Sequence, residues 1–390
     1  MNDVGSRKIF FINRRHWLVG SVFFFLLMSS SLPKKSYGNE ISSSIDYQIE
    51  YIWDHTGARR IVLSGNYLFL QSTFNEVIFF ENNQNRSIYD SNYSFYSLAA
   101  SDRTLFLPFS CWDAEVHAVS FDNYSNPHII SKISHESTGG VGSIISYNHY
   151  VYVACFEWGF PIFDFQIPSE PQKVGEVSLP TWHSEYIYQA SHYGLFIGDH
   201  NTGIFDLKTI SSQPRKLWEL NEGISVLGKF GVSSENFVVN RRIGVGKNMF
   251  IIIPRENSTV CAKPFNITFS HLNNLIFTHC AIFQDNVLVV SDNNNTLTLF
   301  EITESKELTN LGELYLGEGG SINDLYQINE TNQFYIADGA NGLLKLTLSV
   351  TIPEVTKIDM FNIGFNTIDI FSGIVVFTII TKHASRKPKA

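Results

Sequence analysis

A short apolar motif returns eight times along this chain at nearly constant spacing. Each copy opens on a polar residue, glycine or tyrosine and runs on through three mostly apolar residues: YLFL at 67–70, TLFL at 104–107, YVYV at 150–153, GLFI at 194–197. The series continues with NFVV at 236–239, NVLV at 286–289, QFYI at 333–336 and GIVV at 373–376. Its first apolar residues are Leu68, Leu105, Val151, Leu195, Phe237, Val287, Phe334 and Ile374, a mean period of about 44 residues. A second apolar segment follows each motif after a turn, as in GIFDL at 203–207, TLTLF at 296–300 and GLLKL at 342–346. A third, more charged segment comes next, such as KVGEV at 173–177, and one segment precedes each motif, such as GSIIS at 142–146. Four short strands per period, with no 3.6-residue pattern between them, describe one blade of a β-propeller. The composition agrees: 44% hydrophobic and 14% aromatic, with 32 Phe and 17 Tyr, suits strands buried on both faces.

The repeats resemble a known family. Asn201-Thr202-Gly203-Ile204-Phe205-Asp206-Leu207 is similar to the core of an LVIVD repeat, and so is the stretch from Ile336 through Asp338, Gly339 and Gly342 to Leu346. Pro161 to Pro168, followed by Pro171-Gln172-Lys173-Val174-Gly175, matches that family's run from third strand to fourth. The resemblance covers most of residues 45–381 and implies an exported or surface propeller with no settled reaction.

The fold expected is therefore all-β: a single propeller of four-stranded blades over residues 39–381. Seven units carry four strands each. The eighth has only two, at 367–371 and 374–381, while 45–53 (IDYQIEYIW) reads as an outer strand lacking its unit. Joining the termini gives an eighth blade and removes exposed edges. Eight blades are favoured, with seven as the alternative. Residues 382–390 are a basic tail.

The first 38 residues read as an export signal. Arg7, Lys8, Arg14, Arg15 and His16 precede a 12-residue apolar run, 17–28, too short to span a bilayer, and Ser36 and Gly38 precede Asn39 as a cleavage site. Asn13-Arg14-Arg15-His16-Trp17-Leu18 resembles the twin-arginine motif, so both the general and the twin-arginine route stay open. An uncleaved anchor is the alternative. The destination is periplasmic, cell-surface or secreted. Removing 1–38 takes away six bases and one acid, moving the formal charge from −9 to −14. That balance argues against nucleic-acid partners and leaves the export signal as the one membrane contact.

No nucleophile elbow, zincin helix, C-x-x-C, phosphate loop or dinucleotide fingerprint occurs, so no cofactor is expected. The loops leading into each blade share a face with the turns between second and third strands. His55, His135 and His183 fall in such loops, with Trp53 and Trp182 beside two of them. Converging imidazoles would suit a transition metal or acid–base work in a metal-assisted hydrolase or lyase; separate surface histidines are the plain alternative. The turns hold Trp112, Asp113, Glu157, Trp158, Asp199, His200, Asn201, Asp292 and Asp338. Acids and amides beside tryptophans suit a protein, peptide or glycan ligand, and they are also ordinary turn residues. Asp199, Asn201 and Gly203 hint at calcium. His279 lies inside a strand and is expected in the core. Cys111 with Cys155, and Cys261 with Cys280, are placed either to pair in an exported protein or to remain buried thiols. An exported binding module is the leading expectation, and the enzyme is the runner-up.

Overall fold

The second strand of a blade is buried on both faces, and that decides how the strands assemble. In Tyr67–Gln71, Leu68 and Leu70 pack with Ala337 and Leu343, whereas Phe69 between them packs with Leu105, Leu107 and Phe121. A strand wedged between two neighbouring sheets has no polar face to spare, which is why the motif reads as a continuous apolar run. The computed structural model describes residues 44–352 apart from 92–93, 111–113, 136–139, 157–158, 180–183, 210–212, 222–227, 245–246, 257–259, 262–263, 269–276, 293 and 330.

Among the described residues the strands form seven antiparallel sheets and no helix. Blade 1 covers 60–90, blade 2 99–135, blade 3 141–176, blade 4 184–220, blade 5 231–268, blade 6 277–315 and blade 7 322–351. Every blade but the last takes its strands in chain order from the inside outward. Blade 5 adds a two-residue strand, Val260–Cys261, beside the end of Lys247–Glu256. Aromatic residues carry much of the inter-blade packing. The ring centroids of Phe69, Phe79 and Phe121 lie 5.1 to 5.3 Å apart across blades 1 and 2. Each such ring contributes about 1.5–3 kcal/mol on burial.

Blade 7 corrects the expected blade count. Its outer strand is the N-terminal Ser44–Trp53, paired antiparallel with Gly342–Thr351 from Ser44↔Thr351 through Tyr51↔Leu344 and on to Trp53↔Leu343. The orphan outer strand read from the sequence is real, but it completes the seventh unit rather than an eighth. Ten residues fill the whole outer edge of Gly342–Thr351, so no edge remains there for a further blade. Residues 353–390, with the eighth motif and the basic tail, lie outside the described residues, as does the export segment 1–38.

The ring closes between blades 7 and 1, where the Ile61 amide donates to Asp324 Oδ2 at 2.8 Å. Similar stitches join other innermost strands. The Ile144 amide donates to Ser97 Oγ at 3.3 Å, the Ile187 amide donates to Ser143 Oγ, and Ser146 Oγ donates to the Ala100 carbonyl at 2.6 Å. Innermost strands have one edge without a sheet partner, and these side chains satisfy part of it.

Candidate functional site

The loops leading into the blades do lie beside the turns between second and third strands. The Gly57 amide donates to the Gly339 carbonyl at 2.8 Å, Phe95 to Phe74 at 2.8 Å, Ser184 to Phe156 at 3.2 Å and Leu316 to Asn295 at 3.0 Å. This one face carries every described residue that the sequence singled out in those loops and turns.

Their roles differ. His55 is 70% exposed in its side chain, its Nδ1 3.2 Å from Asp54 Oδ1 and its ring 5.1 Å from that of Trp53. The backbone of Trp53 and His55 rests on Gly342, whose φ of +83° and lack of a Cβ permit that approach. His200 is also exposed, 3.3 Å from Asp199, and Asn201 accepts the Gly198 amide through its carbonyl. Asp292 is buried and accepts the Asn294 and Thr296 amides at 2.8 and 3.0 Å; burial pushes its carboxyl up. Asp338 is fully buried. It accepts the Ala340 and Asn341 amides, and side-chain amide protons from Asn295 and Asn341 at 2.9 and 2.7 Å. Both carboxylates are spent on locking turns.

His135 ends the strand His128–His135 opposite Ala114. Its side chain lies outside the described residues, as do Cys111, Trp112, Asp113, Glu157, Trp158, Trp182 and His183. Among the described residues no three His, Cys, Asp or Glu side chains gather as a metal site requires. Cys155 and Cys280 are free, buried thiols pushed up to about 12 by burial, and Cys280 Sγ lies 3.4 Å from the Val238 carbonyl. Cys261 is described only as backbone in its short strand.

What the sequence reading missed is which residues line the channel. A cavity of about 410 Å³ opens among the innermost strands. Phe74, Tyr96 and Tyr186 line it, and they are 41%, 57% and 42% exposed. Phe74 and Tyr96 meet edge-to-face at 5.4 Å, Tyr186 stacks on Tyr188 at 6.1 Å, and the Arg59 guanidinium lies 3.8 Å above Phe74. All three exposed rings belong to one end of the channel, since they sit in a second-to-third turn, in a loop leading into blade 2, and near the start of Ser184–Ala190. Three large aromatic side chains left open around one concavity make this opening the candidate recognition site.

The channel wall also holds a charged cluster. Lys229 Nζ lies 2.9 Å from Asp324 Oδ1 and 4.5 Å from the centroid of the Tyr326 ring. Burial alone would raise the Asp324 carboxyl, but Lys229, His279 and Arg60 outweigh it and hold the group below the usual carboxylate range. Burial pushes Lys229 down, against the pull of Asp324. His279 is in the core, as its position in a strand suggested. Its Nε2 is 3.0 Å from the Asn323 carbonyl, its Nδ1 accepts the Lys229 amide at 3.3 Å, and burial lowers it to about 4. The sequence signal was faint: an aspartate within INDLYQ, and a lysine just before a two-residue strand.

No family model matches the chain, and no curated protein matches it in sequence. Solved structures do resemble it. The WD40 repeats of RRP9 superpose with a TM-score of 0.54 at 10% identity, covering 78% of this chain and 100% of theirs. U3-55K gives 0.53 at 10% identity, covering 77% and 98%. BamB from Moraxella catarrhalis gives 0.49 at 10% identity, covering 75% and 82%. At such identity the likeness to RRP9 and U3-55K is one of fold, and the chain is a seven-bladed β-propeller of four-stranded blades.

Proposed function

We propose that this protein is an exported binding module that takes a protein, peptide or glycan ligand at the aromatic end of its channel. The observation that carries the reading is the ring of exposed Phe74, Tyr96 and Tyr186 around the 410 Å³ cavity. Rigid blades hold these rings at fixed separations before any ligand arrives, so little conformational entropy is lost on binding. The basic, apolar and small-residue succession of residues 1–38 supports export, and the LVIVD-like stretches at 201–207 and 336–346 support a place beside other exported propellers.

The test is a selection from displayed peptides and an array of glycans on immobilised residues 39–390, repeated with Phe74→Ala, Tyr96→Ala and Tyr186→Ala combined. Binders that the triple variant loses support the reading. Binders that it keeps place recognition elsewhere on the molecule and overturn it.

A further inference from the structure

The channel has the opposite electrical character to the rest of the protein. The chain holds 37 acids against 28 bases and is formally −9. Among the described residues lining the cavity, the charged side chains are Arg59, Arg60, Lys229 and Asp324. The one acid is already engaged: Asp324 pairs with Lys229 at 2.9 Å and accepts the Ile61 amide at 2.8 Å. Neither Arg59 nor Arg60 has a carboxylate within ion-pair distance among the described residues. Two guanidinium groups are therefore left over, at the mouth of a cavity whose low-dielectric walls concentrate their field.

The geometry suits them to a ligand. The Arg59 guanidinium carbon lies 3.8 Å from the centroid of the Phe74 ring, a cation–π contact that uses none of its N–H donors on a carboxylate. The field of Arg60 reaches the wall cluster, where it lowers the proton affinity of Lys229, His279 and Asp324 alike. A second anion in the channel would meet the same field.

We infer that the channel mouth binds an acidic peptide segment, its carboxylates on Arg59 and Arg60 and its apolar side chains against Phe74, Tyr96 and Tyr186. This inference rests on the binding-module reading above and narrows it to one ligand class. A peptide fits better than an acidic sugar because several polar groups of the wall are already engaged. Ser97 and Ser143 hold the Ile144 and Ile187 amides, and Gln71 Nε2 donates to the Phe95 carbonyl at 2.8 Å. The lining also includes the aliphatic side chains Leu98, Val141, Ile144 and Ile187. Sugar hydroxyls there would be desolvated without partners, whereas alternating acidic and aliphatic side chains match what the wall presents. A cavity of about 410 Å³ takes a short segment rather than a folded domain.

The probe is fluorescein-labelled (Glu-Leu)₃, compared by anisotropy with (Gln-Leu)₃ and with a labelled galacturonate trimer. The acidic peptide is expected to bind, to weaken as salt rises, and to lose about tenfold or more in affinity with Arg59→Gln combined with Arg60→Gln. Both arginines are solvent-accessible, and an unchanged Tm for that variant verifies folding. Equal binding of the two peptides, with loss in the Phe74, Tyr96 and Tyr186 triple variant, would overturn the acidic-ligand inference and leave the binding-module reading standing. Binding of the galacturonate trimer without the peptide would overturn the peptide assignment. Failure of all three probes would overturn the inference, and the selection above then decides separately whether the mouth binds anything.

Discussion

Acid should loosen this propeller through one buried histidine, His279. His279 is satisfied only in its neutral form. Nε2–H donates to the Asn323 carbonyl at 3.0 Å, and the bare Nδ1 accepts the Lys229 amide at 3.3 Å. A proton on Nδ1 would face that amide hydrogen in a desolvated site beside Lys229 and Arg60, with Asp324 Oδ1 3.7 Å away as the opposing charge. Burial is the main reason that the imidazole falls from 6.5 to about 4; Asp324 opposes the shift without cancelling it. The unfolded chain therefore takes up a proton below pH 6.5 that the folded chain refuses until about pH 4. This contribution to stability is complete above pH 6.5 and is lost as the pH falls toward 4. At about 1.4 kcal/mol per pH unit, the full loss is on the order of 3 kcal/mol. Asp324 does not blur this window. Its carboxyl is held below the usual range, so its own stabilisation is lost only at still lower pH. Urea denaturation between pH 7.5 and about 4 should show the fall for the native protein. His279→Gln keeps an N–H at the ε position for the Asn323 carbonyl and removes the titrating ring, and should flatten the curve by about 3 kcal/mol across the window even if it is less stable at neutral pH. His117, also buried and lowered chiefly by burial, is common to both proteins and cancels in the comparison. Equal pH dependence in the two proteins, or an NMR titration of the His279 ring with a midpoint near 6.5, would refute the argument.

Three other outcomes follow from the same contacts. Asp324→Ala strands the Lys229 ammonium and the Ile61 amide in the ring seam, and should cost about 3–5 kcal/mol in chemical denaturation; a loss under 1 kcal/mol would show that water repairs the seam. Deleting Ser44–Trp53 uncovers the whole edge of Gly342–Thr351 and should give a protein that unfolds at lower temperature and associates through that edge, whereas unchanged thermal unfolding would remove the N-terminal strand from the closure. N-terminal sequencing of the exported protein is expected to begin at or near Asn39, and a sequence beginning at Met1 would remove the cleaved signal.

What could be read in the sequence divides along the range of the interactions involved. The period was legible because burial on both faces leaves a local mark: Leu68, Phe69 and Leu70 each face a neighbouring blade, so three consecutive residues must be apolar. The outer character of Ile45 to Trp53 was legible for the same local reason, with Asp46, Gln48 and Glu50 alternating against Ile45, Tyr47 and Ile49. Its partner was not. The pairing of Ser44 with Thr351 spans nearly the whole chain, and nothing within ten residues of either end says whether that strand completes the seventh unit or starts an eighth. The turn aspartates read both ways in the sequence, as acids of a ligand loop and as ordinary turn residues. Asp338 and Asp292 have the composition of a ligand loop, and their carboxylates are occupied by their own turns. The channel residues were hidden for a third reason. In a chain with 32 Phe and 17 Tyr, the three at 74, 96 and 186 carry no signal until the ring closes. Closure places a second-to-third turn of blade 1, a loop into blade 2 and the first strand of blade 4 around one opening. The site is thus a property of the ring and not of any repeat, so each unit can drift in sequence while its strands keep the inner pattern that builds the channel.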